Sequence, residues 1–439
     1  IEAIEQTLEN LSKKDYAPEP LDYTRPDVKG CWRDPLKQKN RAIDWSKDTT
    51  ETVIRKIRSA DSRPGVLDNL FGKPFYLYGA HAENSLTGIA GEIIAQRHGA
   101  ICRATVDGAV WITHLKRKKQ GDRTFFKLPA TLLLGDMLKD VPEIPVPLEL
   151  PPECQTFRDI WYEEKNQVGY LHFSFYNGAM TTDQCIRLRN AYLYAKSHDT
   201  KVIVLLGGAD FWSNGINLNV IEAAADPAWE SWQNINAIDD FVYEVLTTET
   251  HLTIAAMQGN AAAGGVMMAL AADRVYARKG IVLNPHYKRM GLYGSEYWTY
   301  SLPRRVGQDI AQKLTEICMP IGTQLAKQIN LIDDYFGETP AEFCKSVEQK
   351  AEQIVQSENI GKILKLKNKR RFLDEQYKSL EEYRREELEQ MKQNFASSAY
   401  ATARHNFVYK VSPAETPRHL AKHRHNSEDV FPCKVFMPQ

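Results

Sequence analysis

Two turns in this chain place glycine where a helix starts soon after an apolar strand. In VLLGGADFWSNGINL the turn closes on Gly215-Ile216-Asn217, and in IAAMQGNAAAGGVMMALAAD on Gly264-Gly265. Glycine lets a backbone approach a ligand closely. A helix N-terminus presents unpaired N–H groups at the positive end of its dipole. Two such groups aimed at one point would form an oxyanion hole, able to polarise a carbonyl. Taken singly, either turn is better explained by tight strand–turn–helix packing. Together, one after each of two buried strands, they favour the carbonyl site. Further on, GLYGSEYWTYSLPRRVG crowds Tyr293, Glu296, Tyr297, Trp298 and Tyr300 into one short stretch. Aromatic side chains there can simply fill a core. Alternatively, Glu296 is an acid or base with Tyr293 or Tyr287 as a hydrogen-bonding partner. His286, in LNPHYKR, titrates near neutrality, although a lone histidine is more often structural.

Such residues need a scaffold of buried strands. VIVLLGG (202–208) and HLTIAAMQG (251–259) are nearly all apolar, as strands buried on both faces are. YLHFSF and RVYAR read as further strands, TTDQCIRLRNAYLYAKS and AGGVMMALAAD as helices. That β-α-β-α order implies an α/β domain with parallel pairing. Upstream, WSKDTTETVIRKIRSAD reads as a helix with Ile54 and Ile57 on one face. FYLYGA, AICRATVDGAVWITHLKR and FFKLP read as strands of a small, partly open β-barrel. The stretch VPEIPVPLELPPE holds five prolines and must be extended. The expected organisation is a helix and linker over 1–40, the barrel over 41–140, a Pro-rich linker over 141–154, the α/β domain over 155–340, and charged helices with a tail over 341–439. In those last helices Arg/Lys and Glu alternate at i,i+4, the pattern of a solvated helix face.

Composition narrows the function classes. With 439 residues, 56 Lys+Arg against 56 Asp+Glu and 43% apolar residues, the chain has real cores and no basic excess to draw nucleic acid. HLKRKKQGDR (114–123) is basic, but one short basic hairpin is usually a solvated loop. No run of ~18 apolar residues suggests a membrane helix, and the first residues do not resemble a signal peptide. Seven scattered cysteines without a CxxC pair argue against disulfides or structural zinc, so a reducing cytoplasm is the default. The histidines of RHLAKHRHNSEDVFPC lack the ligand spacing of a metal site, and none is expected. The chain opens on Ile1 rather than Met, and an upstream segment is expected.

Residues 168 to about 337 resemble the crotonase (enoyl-CoA hydratase/isomerase) family through VGYLHFSF, KVIVLLGGADFWSNGINL, TIAAMQGNAAAGGVMMALAADRVYAR, LPRRVG and GTQLAKQINLIDDYF. The resemblance implies a ββα spiral that binds acyl-coenzyme A and grips the thioester carbonyl between two backbone N–H groups. Carried over, those donors are Ile216 and Gly264, and the coenzyme folds around the loop of Ser213, Asn214 and Gly215, with Gly265 beside it. The chain departs from the family at the two hydratase glutamates, where it has Met267 and His286. Neither is a carboxylate, so water addition lacks its acid/base pair.

Residues 41–134 are similar to the C-terminal domain of methionyl-tRNA formyltransferases and formyltetrahydrofolate-using relatives, through RAIDWSKDTTETVIRKIRSADSRPG and the β-rich run after it. The two parts together resemble the HypX/HoxX hydrogenase-maturation family. That resemblance implies transfer of a formyl group from formyltetrahydrofolate, by an upstream domain, to coenzyme A. Formyl-CoA would then split into carbon monoxide and CoA, supplying the CO ligand of nickel-iron hydrogenase, with the maturation machinery as partner. The implied catalytic set is Ile216, Gly264 and Glu296 with Tyr293 or Tyr287. The alternatives are an enoyl-CoA hydratase or isomerase, a non-catalytic CoA-binding module and, more weakly, an RNA-binding accessory.

Overall fold

The computed structural model describes residues 2–13, 15–18, 20, 22–27 and 33–411. Cys31, Cys433 and the histidine-bearing tail lie outside them. Contacts divide the chain after Arg41. The first unit carries helix α1 (Glu2–Ser12) and the single turn α2 (Gln38–Arg41).

The second unit begins with helix α3 (Thr50–Arg58), whose N-cap Thr49 accepts the Thr52 N–H, satisfying one otherwise orphan donor. Val53 and Ile57, one turn apart, are fully buried against an antiparallel sheet. Its strands are β1 (Val66–Leu70), β2 (Lys73–Glu83), β3 (Ile93–Arg97), β4 (Ala100–Ala104), β5 (Ala109–Arg117) and β6 (Leu128–Pro129), in the order β1-β2-β5-β4-β3 with β6 on β5. The run AICRATVDGAVWITHLKR is a hairpin, with Val106-Asp107-Gly108 at the turn between β4 and β5. Helix α4 (Ala130–Leu134) follows. The proline-rich segment is extended and covers the β3 edge: Gln96 N–H donates to Pro142 O and Ile144 N–H to Gln96 O. An unpaired sheet edge is thereby closed.

The chain then builds two sheets in alternation. It forms β7 (Ile160–Lys165), β8 (Val168–Phe173), α5 (Thr182–Lys196), β9 (Val202–Leu206), β10 (Phe211–Ser213), α6 (Leu218–Ala223) and α7 (Pro227–Leu246). Next come β11 (Leu252–Met257), β12 (Asn260–Ala262), α8 (Gly264–Leu270), β13 (Arg274–Arg278) and β14 (Val282–Asn284). After these come α9 (Trp298–Val306), α10 (Gln308–Ile317), β15 (Ile321–Gly322), α11 (Thr323–Gln328) and β16 (Asp334–Phe336). The large sheet runs β16-β13-β11-β9-β8-β7, with β7–β8 its only antiparallel pair; the small one runs β10-β12-β14-β15. Each large-sheet strand β9 and β11 therefore feeds a short strand of the small sheet and then a helix, which is the repeating unit of a ββα spiral. β9 and β11 are buried along their whole length, as their unbroken apolar runs require. A sequence reading finds β8, β9, β11 and β13 of the large sheet but not its edge strands β7 and β16, and misses β10, β12 and β14 of the small one. Three residues are too few to show a period.

Helices α12 (Pro340–Gln356), α13 (Ile360–Tyr377), α14 (Leu380–Phe395) and α15 (Ser398–Tyr409) close the described chain. A capping box of Ser379 and Glu382 separates α13 from α14. The expectation of a solvated face holds for α13, which buries no residue. It fails for α14: Leu380, Glu387, Leu388, Met391 and Phe395 are buried. No helix among the described residues is long and apolar enough to cross a membrane.

Candidate active site

Two loops from neighbouring strands converge on one point. After β10 the chain passes Asn214 and Gly215, the latter with φ 76°, a backbone region that favours glycine. Met180 N–H then donates to Gly215 O (2.9 Å) and Asn217 N–H to Met180 O (3.0 Å). This parallel bridge pairs Met180 with Ile216, and so leaves the Ile216 N–H on the opposite side. Asn217 caps α6 by accepting the Val220 N–H. The second loop follows β12. Ala263 N–H donates to Asn284 O (2.9 Å), and Gly264 opens α8. Among the described residues, neither Ile216 N–H nor Gly264 N–H has an acceptor. A Cβ placed on Gly215 would lie 3.5 Å from Gly264 N, so the two loops are in contact.

Glu296 reaches the same point. A Cβ on Gly264 would lie 1.9 Å from Glu296 Oε1 and 2.5 Å from Cδ; the carboxyl rests on the Gly264 Cα. Glu296 is 1% exposed. The Tyr287 hydroxyl donates to its Oε2 at 2.6 Å, and Ser295 N–H to the same oxygen at 3.2 Å. Burial, and then the charge of Asp239, push the Glu296 carboxyl up to about 8, against the pull of the Tyr287 hydrogen bond. A carboxyl titrating there exchanges a proton readily near neutral pH. Burial together with Glu296 keeps the Tyr287 phenol far above its ordinary value, so it acts as a hydrogen-bond donor.

The turn carrying Glu296 is left-handed at two consecutive residues, Glu296 (φ 61°) and Tyr297 (φ 56°). Two buried carboxylates from distant helices hold it. Asp239 of α7 accepts the Glu296 N–H (2.8 Å) and the Ser295 hydroxyl (2.7 Å). Glu387 of α14 accepts the N–H groups of Tyr297 (2.9 Å) and Thr299 (2.8 Å) and the Thr299 hydroxyl. Burial raises Asp239 to about 6, opposed chiefly by Arg384, and raises Glu387, with Asp239 adding, to about 8. Sequence reasoning found neither residue. Asp239 sits in IDDFV and Glu387 in RREELEQ, where nothing distinguishes them from solvated acids.

Several expected site residues prove to have other duties. Tyr293 is 42% exposed and its ring packs at a tilt against that of Trp298, with its N–H bound to Asn394. It borders a cleft of about 270 Å³ together with Tyr287 and Trp298, but among the described residues it makes no hydrogen bond to Glu296. Tyr287 is the hydroxyl partner. Ser213 is fully buried; its Oγ accepts the Gly215 N–H (3.1 Å) and contacts Met180 Sδ, so it shapes the loop and cannot touch a ligand. Gly265 packs: a Cβ there would strike the Ser213 carbonyl oxygen at 2.0 Å. Asn214 remains accessible, its amide bound to Asn177 O. Met267 is core. His286 is 7% exposed with both ring nitrogens unpartnered, and burial lowers it to about 4, leaving a neutral imidazole free to hydrogen-bond.

A cationic cluster is the other feature sequence reasoning missed. Lys127 and Lys116 lie 4.0 and 6.0 Å from the centroid of the Tyr78 ring, whose hydroxyl donates to Pro64 O beside Arg63. Burial first and the neighbouring cations next lower three lysines. Arg63 acts on Lys116 and Lys410, and Lys116 with Lys410 acts on Lys127, which reaches about 8 despite Asp61. Lys127 also bonds Tyr176 Oη at 2.7 Å, and Asn219 bonds Lys127 O, tying the first sheet to the loops of the second. Cations that depress one another suit a polyanionic ligand. The stretch 114–123 is thus only partly the solvated hairpin it was expected to be.

Comparison with known proteins comes to the same place. Residues 176–416 match the family model for enoyl-CoA hydratase/isomerase, and residues 35–127 that for the formyl transferase C-terminal domain. The hydrogenase maturation factor HoxX of Bradyrhizobium diazoefficiens is 44% identical over 412 residues, which cover 93% of this chain and 70% of HoxX. The crystal structure of HypX from Aquifex aeolicus in complex with tetrahydrofolic acid superposes with a TM-score of 0.90 at 44% identity, over 97% of this chain and 74% of that one. Enoyl-CoA hydratase from Bacillus halodurans, 18% identical with a TM-score of 0.51 over 56% of this chain and 99% of its own, shares the fold.

Proposed function

The chain belongs to the HypX/HoxX family of hydrogenase maturation factors, and from that premise we propose that its crotonase-type domain splits formyl-CoA into carbon monoxide and coenzyme A. The observation that carries this is the buried Glu296 carboxyl, seated on Gly264 beside two amides that have no acceptor among the described residues. Ile216 N–H and Gly264 N–H hold the formyl oxygen; one donor of this kind is typically worth ~2.7–4 kcal/mol. Ionised Glu296 takes the formyl proton, with Tyr287 fixing the carboxyl's orientation. The C–S bond breaks with its electron pair going to sulfur, the carbon leaves as CO, and Glu296 returns the proton to the thiolate. Atoms and charge balance without an oxidant or reductant.

The residues present suit coenzyme A. Asn214 and the neutral His286 offer hydrogen bonds around the acyl end, Gly215 lets the coenzyme approach the main chain closely, and Arg63, Lys116, Lys127 and Lys410 supply positive charge for its phosphates. A single carboxyl lies at the reacting point, whereas hydration needs an acid/base pair, and Met267 is in the core. On the same reading, the formyl group derives from formyltetrahydrofolate. The tetrahydrofolic acid bound by the Aquifex relative supports this. The maturation machinery of nickel-iron hydrogenase is the partner and the cytoplasm the location.

The test is CO release from formyl-CoA, read by trapping on deoxymyoglobin. Glu296→Gln should bind CoA as the parent does and lose CO release by at least ~10²-fold. Equal CO yield from both proteins would remove Glu296 from the reaction, and hydration of crotonyl-CoA at a comparable rate would replace the reaction itself.

A further inference from the structure

The carboxylates beneath Glu296 have no place in the reaction as written, yet burying an acid is costly unless it is paired. Asp239 and Glu387 are both 0% exposed. Arg384 is the cation beside them, 3.9 Å from Asp239 Oδ2, and it already pairs with Asp240 at 2.7 Å. Buried like charges without matching cations raise one another's proton affinity. Their other bonds run to the main chain and to the Ser295 and Thr299 hydroxyls of the turn that carries Glu296, which is left-handed at two non-glycine residues and so stores strain that neighbours must hold. Glu387 alone anchors the helix-side half, through Tyr297 and Thr299. Asp239 anchors the half that aims Glu296, through the Ser295 hydroxyl and the Glu296 N–H.

We propose that Asp239 is a positioning residue for Glu296: its carboxylate pins the turn, and its negative charge sets the pH at which Glu296 exchanges its proton. This rests on the reading of Glu296 as the acid/base group. The other groups facing Glu296 are the Tyr287 hydroxyl, Glu387 with Arg384 on α14, and the buried Cys185 thiol of α5. Asp239, unlike Glu387, is an acid that bonds Glu296 itself, by accepting its main-chain N–H. Its charge counts second only to burial in raising the Glu296 carboxyl.

Asp239→Asn keeps an oxygen to accept the Glu296 N–H and removes the charge; Asp239→Ala removes both. The direct readout is infrared difference titration of the buried carboxylic acid band of Glu296, assigned by its loss in Glu296→Gln, which requires no turnover. In Asp239→Asn the Glu296 midpoint should fall by about one pH unit, and the pH profile of CO release should move with it. Asp239→Ala should lower kcat more than about tenfold with little change in KM for formyl-CoA. Should Asp239→Asn not fold, Asp239→Ser, whose hydroxyl also accepts an N–H, gives the same reading. A midpoint that stays within about 0.2 unit of the parent's overturns the inference, since removal of an interacting like charge must move it. CO release from the parent without a midpoint shift defeats this inference alone. A midpoint shift in a protein that makes no CO from formyl-CoA upholds the coupling and defeats the assigned reaction.

Discussion

Replacing Gly264 by alanine should damage the chemistry and spare the fold. The new methyl would lie 1.9 Å from Glu296 Oε1 and 3.0 Å from Oε2. A carbon and a carboxylate oxygen need roughly 3.3 Å, so Oε1 must retreat by the difference, ~1.4 Å. Tyr287 bonds the same carboxyl at 2.6 Å, and a shift of that size takes the pair to or beyond hydrogen-bonding distance. Misplacing a reacting group by about 1 Å costs on the order of 10²-fold, or ~2.7 kcal/mol in the barrier. Because the clash is with the far end of a side chain, the melting temperature should change by only a few degrees. CO release from formyl-CoA should fall about hundredfold, with KM nearly unchanged. Gly265→Ala is the control: its methyl meets the Ser213 carbonyl oxygen at 2.0 Å and carbon at 2.4 Å. A main chain held in a strand cannot give way so easily, and overpacking of this kind costs ~1–3 kcal/mol of stability. Parental CO release by a folded Gly264→Ala protein would refute the placement of Glu296 against the formyl group.

The remaining expectations concern pH and charge. Stability should peak near pH 6.5 and fall from there to pH 8. Burial lowers His81, His172 and His286 to about 4 and His114 to about 3, so the unfolded chain takes up their protons first as pH drops below ~6.5 and stability is lost. Glu296 and Glu387, held up to about 8, retain protons that the unfolded chain has released. Stability therefore declines as pH rises toward 8, by up to ~1.4 kcal/mol per unit for each retained proton. Thermal melts across this range check the sign, and Glu296→Gln should flatten the alkaline fall; a melt that rises steadily to pH 8 contradicts it. Lys116→Gln or Lys410→Gln should weaken CoA about tenfold (~1.4 kcal/mol) with kcat unchanged, and should reduce the salt dependence of binding. Unaltered CoA affinity at low salt in both variants would exclude that cluster from the coenzyme site.

What the sequence alone determined is whatever repeats or is contiguous. The apolar runs of β9 and β11 announce buried parallel strands because no polar residue interrupts them. The two glycine turns announce a close backbone approach because a side chain there would collide. Glu296 stands out as a lone carboxylate among aromatics. The choice of Tyr287 over Tyr293 could not be made from one dimension, since both lie within nine residues of Glu296; only the path of the turn puts one hydroxyl at 2.6 Å and the other ring toward Trp298. The family resemblance puts Ser213 on the loop around which the coenzyme folds, yet the turn faces its side chain inward. Asp239 and Glu387 were hidden for a deeper reason. They stand 57 and 91 positions from Glu296, on helices whose charge patterns suit water. Only tertiary packing turns those two helices onto the Glu296 turn, where low dielectric makes ordinary acids strong proton holders.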